Sequence, residues 1–230
     1  MPRRIFPISE SNTGSAFNQL TSADVRRTAI LPREFFNRDA VTVARELLGK
    51  LLIRREGRQL LAGRIVEDEA YLGRDDPAAH AYAGRTPRNF VLFGPPGHAY
   101  VYFIYGNHYC LNVSCLGQGE GVLFRAMQPV FGIEAMARAR GLDLPPLPGI
   151  AQLRMIASGP GRMSQALRIT RERDNNKDLA SSASGLWLAD DGFRPGQILA
   201  TRRIGISKAV ERPLRFAVAG NPYVSGKRIQ

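Results

Sequence analysis

From Leu51 to Val218 the chain breaks into short runs rich in β-branched and aromatic residues, separated by Gly and Pro clusters. Such runs read as strands, and connections this short join strands as hairpins. Strands are expected over 51–54, 60–72, 98–105, 108–115, 121–128, 186–189, 198–206 and 214–219. Helical period is scarce. Val41, Ala44, Leu47 and Leu48 show it over 39–48, with Gly49 placed to end the helix. Residues 132–140, with Ile133, Met136 and Ala137 on one side, and 163–169 are the other candidates. Pro145, Pro146 and Pro148 make 142–150 a loop. Strands that outnumber helices under short connections point to an α+β fold, a single compact domain around a curved, mainly antiparallel sheet with flanking helices. Residues 1–30 lack periodicity and are expected to form a flexible N-terminal arm, with the folded domain over 31–230.

Charge narrows the partners. Lys and Arg number 32 against 20 Asp and Glu, a formal net charge of +12. An excess of that size favours a polyanion: DNA, RNA or an anionic membrane surface. Most of the cations are Arg, a bias that a GC-rich genome also produces. No apolar run approaches the roughly 18–20 residues of a membrane span. No apolar segment follows Met1-Pro2-Arg3-Arg4, so no secretory leader is expected. The expected location is a bacterial-style cytoplasm in association with the nucleoid, or the nucleus in a eukaryote. Cys110 and Cys115 would face opposite sides of a strand, which argues against a disulfide. Together with His80, His98 and His108 they form no zinc-binding spacing.

Two segments carry chemistry. In Arg64–Leu72, three consecutive acids, Glu67, Asp68 and Glu69, sit in a strand that is otherwise basic and apolar. Like charges so close repel, and strands disfavour Asp and Glu. Strand alternation puts Ile65, Glu67, Glu69 and Tyr71 on one face and Val66, Asp68, Ala70 and Leu72 on the other. A carboxylate beside an aromatic can take a proton from water and oppose positive charge developing on a sugar. The acids could equally neutralise neighbouring arginines such as Arg64 or Arg85. The second segment, 98–115, reads as a hairpin turning at Gly106-Asn107 and dense in tyrosine. Most of these rings would be core. Tyr105 adjoins the turn, where an exposed aromatic on a basic protein can wedge between stacked bases.

With these motifs assembled, the sequence resembles the alkyladenine DNA glycosylases, also called mammalian-type 3-methyladenine DNA glycosylases. The matching stretches occur in order: Arg64–Gly73, Ala78-Ala79-His80, Thr86–Asn89, Tyr100–Gly106, Cys110–Ser114, Gly121–Ala126, Gly159-Pro160, Ser164–Leu167, Asp178-Leu179 and Pro213–Val218. The resemblance covers residues 31–226. It implies a single α+β domain whose hairpin protrudes toward the minor groove, and no metal or organic cofactor. It implies that Glu69 activates water, that Arg125 and the backbone carbonyl of Val218 hold that water, and that Tyr71, His80, Tyr102 and Asn112 surround a flipped base. Tyr105 would be the intercalating wedge. Glu67 and Asp68 match no catalytic role. The expected activity is base-excision repair: a monofunctional, monomeric glycosylase acting on double-stranded DNA with damaged purines and lacking lyase activity. The competing reading is a non-enzymatic damage-recognition module, which would gain nothing from a carboxylate at Glu69.

Overall fold

The computed structural model describes residues 19–104, 106 and 108–226. Helix α1 (Ser22–Arg27) begins at Thr21, whose hydroxyl accepts the Asp24 N–H while the Asp24 carboxylate accepts from Thr21. Strand β1 (Ala29–Ile30), α2 (Arg33–Phe36) and α3 (Ala40–Leu47) follow. Strands β2 (Leu51–Glu56) and β3 (Gln59–Leu72) form a hairpin. Next come β4 (Ala99–Ile104), β5 (His108–Ser114) and β6 (Glu120–Phe131). Helices α4 (Ile133–Ala139), α5 (Ile150–Ala157), α6 (Pro160–Ala166) and α7 (Arg171–Asp174) then lead to β7 (Leu186–Asp190), β8 (Ile198–Thr201) and β9 (Arg215–Val218).

These strands make one antiparallel sheet in the order β1-β7-β2-β3-β6-β5-β4, with β8 and β9 joined to it through β3. The α+β class is therefore as expected. The main core lies between the sheet and α3, α4, α5 and α6. Helix α3 turns Val43, Ala44 and Leu47 fully into it, and each large side chain buried this way contributes about 1.5–3 kcal/mol. Leu51, Ile53, Leu60, Val130 and Trp187 pack with Val25 of α1 in a second cluster. Residues 22–30, expected in the arm, thus form α1 and β1, and β1 pairs with β7. The rest of the expected arm, residues 1–18, lies outside the described residues.

Strand β3 is the axis of the molecule. Its first half pairs with β2 as far as Leu51↔Arg64. Beyond that point β9 takes over, with Glu67↔Ala217 and Glu69↔Arg215. Its other edge pairs with β6 from Ala62 to Leu72, and one of the register shifts, between Ile65↔Met127 and Glu67↔Ala126, leaves Val66 unmatched. This bulge changes the face pattern. Ile65, expected on the face of Glu67, packs with Val66 in the main core. Glu67, Glu69 and Tyr71 then share the opposite side from Asp68 and Ala70. At the end of β3, Gly73 takes φ +61°, and a Cβ there would collide with the Gln118 carbonyl oxygen. The chain turns sharply at this point toward Asp76.

Three other departures have physical causes. The expected loop over 142–150 ends in α5, which buries Leu153, Ile156 and Ala157 at helical spacing. The strand expected over 198–206 stops at Thr201, because Arg203 leaves the ladder to pair with Asp76 and the Ile204 N–H turns to Glu69. The hairpin of β4 and β5 has Ile104↔His108 as its last pair, a wider connection than a two-residue turn at 106–107. Tyr105 and Asn107 lie outside the described residues. Cys110 and Cys115 are free and buried in separate clusters. Among the described residues no helix is long and apolar enough to cross a membrane.

Candidate active site

Glu69 is wholly buried, and three groups meet its carboxylate. Oε1 accepts the backbone N–H of Ile204 at 2.8 Å and faces Arg125 Nη1 at 3.1 Å. Oε2 accepts the Tyr71 hydroxyl at 3.0 Å. Register explains the arrangement. Leu123 and Ala126 of β6 lie opposite Glu69 and Glu67, so Arg125 projects between the two carboxylates. Glu67 completes the network. Its Oε1 accepts Arg125 Nε at 2.9 Å, Arg215 Nε at 2.7 Å and the Ser225 hydroxyl at 2.9 Å, and its Oε2 accepts the Ser225 N–H at 2.6 Å. Glu67 therefore anchors Arg125, which in turn reaches Glu69.

Burial pushes the Glu69 carboxyl above the ordinary glutamate value, against the lowering effect of Arg125, the Ile204 N–H and the Tyr71 hydroxyl. Desolvation outweighs the cation here, and a carboxylate of raised basicity is a better proton acceptor. Asp68, on the opposite side of the strand, is fully buried with neither oxygen hydrogen-bonded. Burial drives its pKa well up, with Glu67 and Glu69 adding to the effect.

The partners of Glu69 form the wall of a cavity of about 470 Å³ lined by Tyr71, Arg125 and Ile204 together with His80, Tyr102 and Asn112. That size suits a small planar ligand. Tyr100 and Tyr102 come from β4, Cys110 and Asn112 from β5. The His80 Nδ1 lies 2.9 Å from the Tyr100 hydroxyl, and its ring meets Tyr102 edge-on at 4.5 Å. Burial, then the charge of Arg88, lowers the His80 pKa and favours neutral imidazole. Asn112 donates its amide to the Tyr100 carbonyl at 3.1 Å, which fixes its orientation across the hairpin. Outside the lining, the Arg203 guanidinium stacks 4.6 Å from the Tyr71 ring centre and Arg88 lies 5.8 Å from that of Tyr102. Arg203 is buried against Asp76, which grips both its terminal nitrogens.

Of the residues singled out in the sequence, Glu69, Arg125, Tyr71, His80, Tyr102 and Asn112 are brought together. Val218 is not. It sits opposite Ile198, packs on the main core, and its carbonyl accepts the Asn221 N–H at 3.2 Å. The backbone at Glu69 is that of Ile204. The signal available was Arg202–Ile206, two cations followed by Ile-Gly-Ile, a run that alternation alone reads as strand. Lys208, which matched none of the motifs, also lines the cavity.

Residues 34–222 match the sequence profile of the methylpurine-DNA glycosylase family. The chain belongs to that family. A protein of Koribacter versatilis (strain Ellin345), provisionally named 3-methyladenine DNA glycosylase, is 61% identical over 208 residues, covering 90% of this chain and 98% of its own. A similarly named protein of Methanoculleus marisnigri is 49% identical over 203 residues, covering 85% of this chain and 98% of its own. One from Burkholderia cenocepacia (strain HI2424) is 48% identical over 200 residues, covering 86% and 91% respectively. Family membership makes the chain a DNA glycosylase with DNA as its substrate.

Proposed function

We propose that this glycosylase extrudes a damaged purine from duplex DNA into the cavity and hydrolyses its N-glycosidic bond with a water activated by Glu69. The observation that carries this reading is the position of Glu69. It is a buried carboxylate of raised basicity, and Tyr71, Arg125 and Ile204, the groups that hold it, all face the cavity.

The excess of cations holds the phosphates without sequence preference. Tyr105, on the connection between β4 and β5, fills the gap left in the base stack, a rearrangement that costs a few kcal/mol. The extruded purine packs among Tyr71, Tyr102 and His80, and Asn112 tests its edge. As the bond from the sugar to the base nitrogen lengthens, positive charge grows on the sugar and the Glu69 carboxylate opposes it. The water oxygen bonds to the sugar carbon, its proton passes to Glu69, and the bonding pair leaves with the base. Arg125 favours the ionised Glu69 carboxylate and so offsets part of the effect of its burial. The product is an abasic site in an intact strand. Alkylated purines such as 3-methyladenine and 7-methylguanine, and deaminated or etheno purines, share the flat shape that the cavity requires. The enzyme acts as a monomer and needs no lyase step.

The test is release of free base from a duplex carrying one lesion, comparing wild type with Glu69→Gln. Release by wild type with a loss of at least about a hundredfold in the variant, and with DNA binding retained, supports the reading. Near-wild-type release by the variant removes Glu69 from the chemistry. Tight lesion binding without release by wild type would favour the recognition-module alternative.

A further inference from the structure

Of the three tyrosines that line the cavity, Tyr71 and Tyr102 each have a guanidinium near the ring. Arg203 lies 4.6 Å from the Tyr71 ring centre and Arg88 lies 5.8 Å from that of Tyr102. Neither arginine lines the cavity, whereas both tyrosines do. The attraction of a tyrosine face for a cation is already engaged by these side chains. A purine bearing a formal positive charge, stacked on the cavity side, would therefore meet a like charge through the same ring. The two arginines differ in how far they are neutralised. Arg203 is gripped by Asp76, but Arg88 is exposed and forms no ion pair among the described residues. Lys208 adds a further cation to the cavity wall. The carboxylate hydrogen-bonded to Tyr71, Glu69, is paired with Arg125.

We propose that Arg88 and Arg203 are specificity-determining residues that set this pocket against cationic purines, so that the enzyme accelerates loss of neutral lesions, such as deaminated purines, more than loss of cationic N-alkylated ones. This rests on the reading of the cavity as the base pocket. His80 supports it from inside the cavity. After burial, the charge of Arg88 is what disfavours its proton, and the same field acts on any positive charge placed beside it. A neutral base stacks on both rings without this opposition. Arg88 and Arg203 act through the tyrosines and need not touch the base.

The test compares two duplexes identical except for one lesion, hypoxanthine (neutral) or 7-methylguanine (cationic), under single-turnover conditions. Each rate is divided by its uncatalysed rate. Arg88 is the position to vary, because an exposed side chain can be changed without endangering the fold. In wild type the enhancement is larger for hypoxanthine. Arg88→Gln raises the 7-methylguanine to hypoxanthine ratio about threefold or more. Arg88→Lys, which keeps the charge, stays within about twofold of wild type. A ratio that does not move in Arg88→Gln while both bases are released, or that moves equally in Arg88→Lys, overturns the proposal but leaves the base pocket standing. Release of neither base by wild type overturns the pocket reading and this proposal together.

Discussion

The Tyr71 hydroxyl donates to Glu69 Oε2 across 3.0 Å, from two residues along the same face of β3. One side chain thereby offers its ring to the cavity and its hydroxyl to the carboxylate. The bond helps hold the Glu69 pKa down against burial. Tyr71→Phe should keep the stacking face and lose this support. The glutamate pKa then rises further, so the acidic limb of the pH–rate profile moves to higher pH. A hydrogen bond to a charged carboxylate, worth about 1.5–3 kcal/mol, corresponds to a rate loss of roughly ten- to a hundredfold where the limb is steep. Single-turnover excision measured as a function of pH reads both effects. An unshifted limb would mean that the hydroxyl does not tune Glu69.

Asp68 should weaken the fold at neutral pH. Its two oxygens are buried without partners, and its folded pKa is raised by burial first. Its unfolded pKa is about 3.9. A group of this kind contributes most below the unfolded value, and that contribution is lost as pH rises through the folded one. Asp68→Val removes the buried carboxyl and suits a strand. It should therefore match wild type near pH 4 and become more stable by about 1–3 kcal/mol at pH 7–8. Thermal unfolding across that pH range measures the difference, and a constant gap would show that Asp68 does not titrate in the folded chain.

The Arg203–Asp76 pair joins the end of β3 to the segment after β8. Asp76 also accepts the N–H groups of Leu72 and Ala78, and Arg203 donates to the Ala70 carbonyl at 3.1 Å. Breaking a pair buried this completely costs about 3–5 kcal/mol. Asp76→Ala should lose that much stability in denaturant titration. At permissive temperature it should also lose excision, because the Ile204 backbone is no longer held at Glu69. Full activity in a destabilised Asp76→Ala would separate the pair from the site.

Lys208 is the lysine on the cavity wall, and strand cleavage by a glycosylase requires an amine nucleophile. If water is the nucleophile, Lys208→Ala should still release base, with losses confined to DNA affinity and its salt dependence. Borohydride should trap no covalent complex with wild type. A trapped complex that disappears in Lys208→Ala would assign the chain a lyase step.

Strand placement was legible because β-branched and aromatic runs separated by Gly and Pro have few alternative uses. The segment carrying Glu69 and Tyr71 was legible because three acids in a strand are costly without a purpose. What alternation could not show was the bulge at Val66, which depends on β3 exchanging β2 for β9. Nor could it show that Arg203 and Ile204 leave their strand. That pull comes from Asp76 and Glu69, 127 and 135 residues away in sequence. Val218 was expected at the site from the family resemblance alone, and the strand it ends does border β3. The register places Arg215, rather than Val218, opposite Glu69.

Glu67 has a consequence beyond anchoring Arg125. Its carboxylate is satisfied by Arg215 and Ser225, which lie 148 and 158 residues later in the chain. A ribosome must therefore pass Ser225 before the charges around Glu67, Arg125 and Glu69 can balance. A nascent or C-terminally clipped molecule would hold every wall residue from Tyr71 to Lys208 and still be inert. Excision activity thus reports completed folding, and contacts of such long sequence separation make that final docking a slow step.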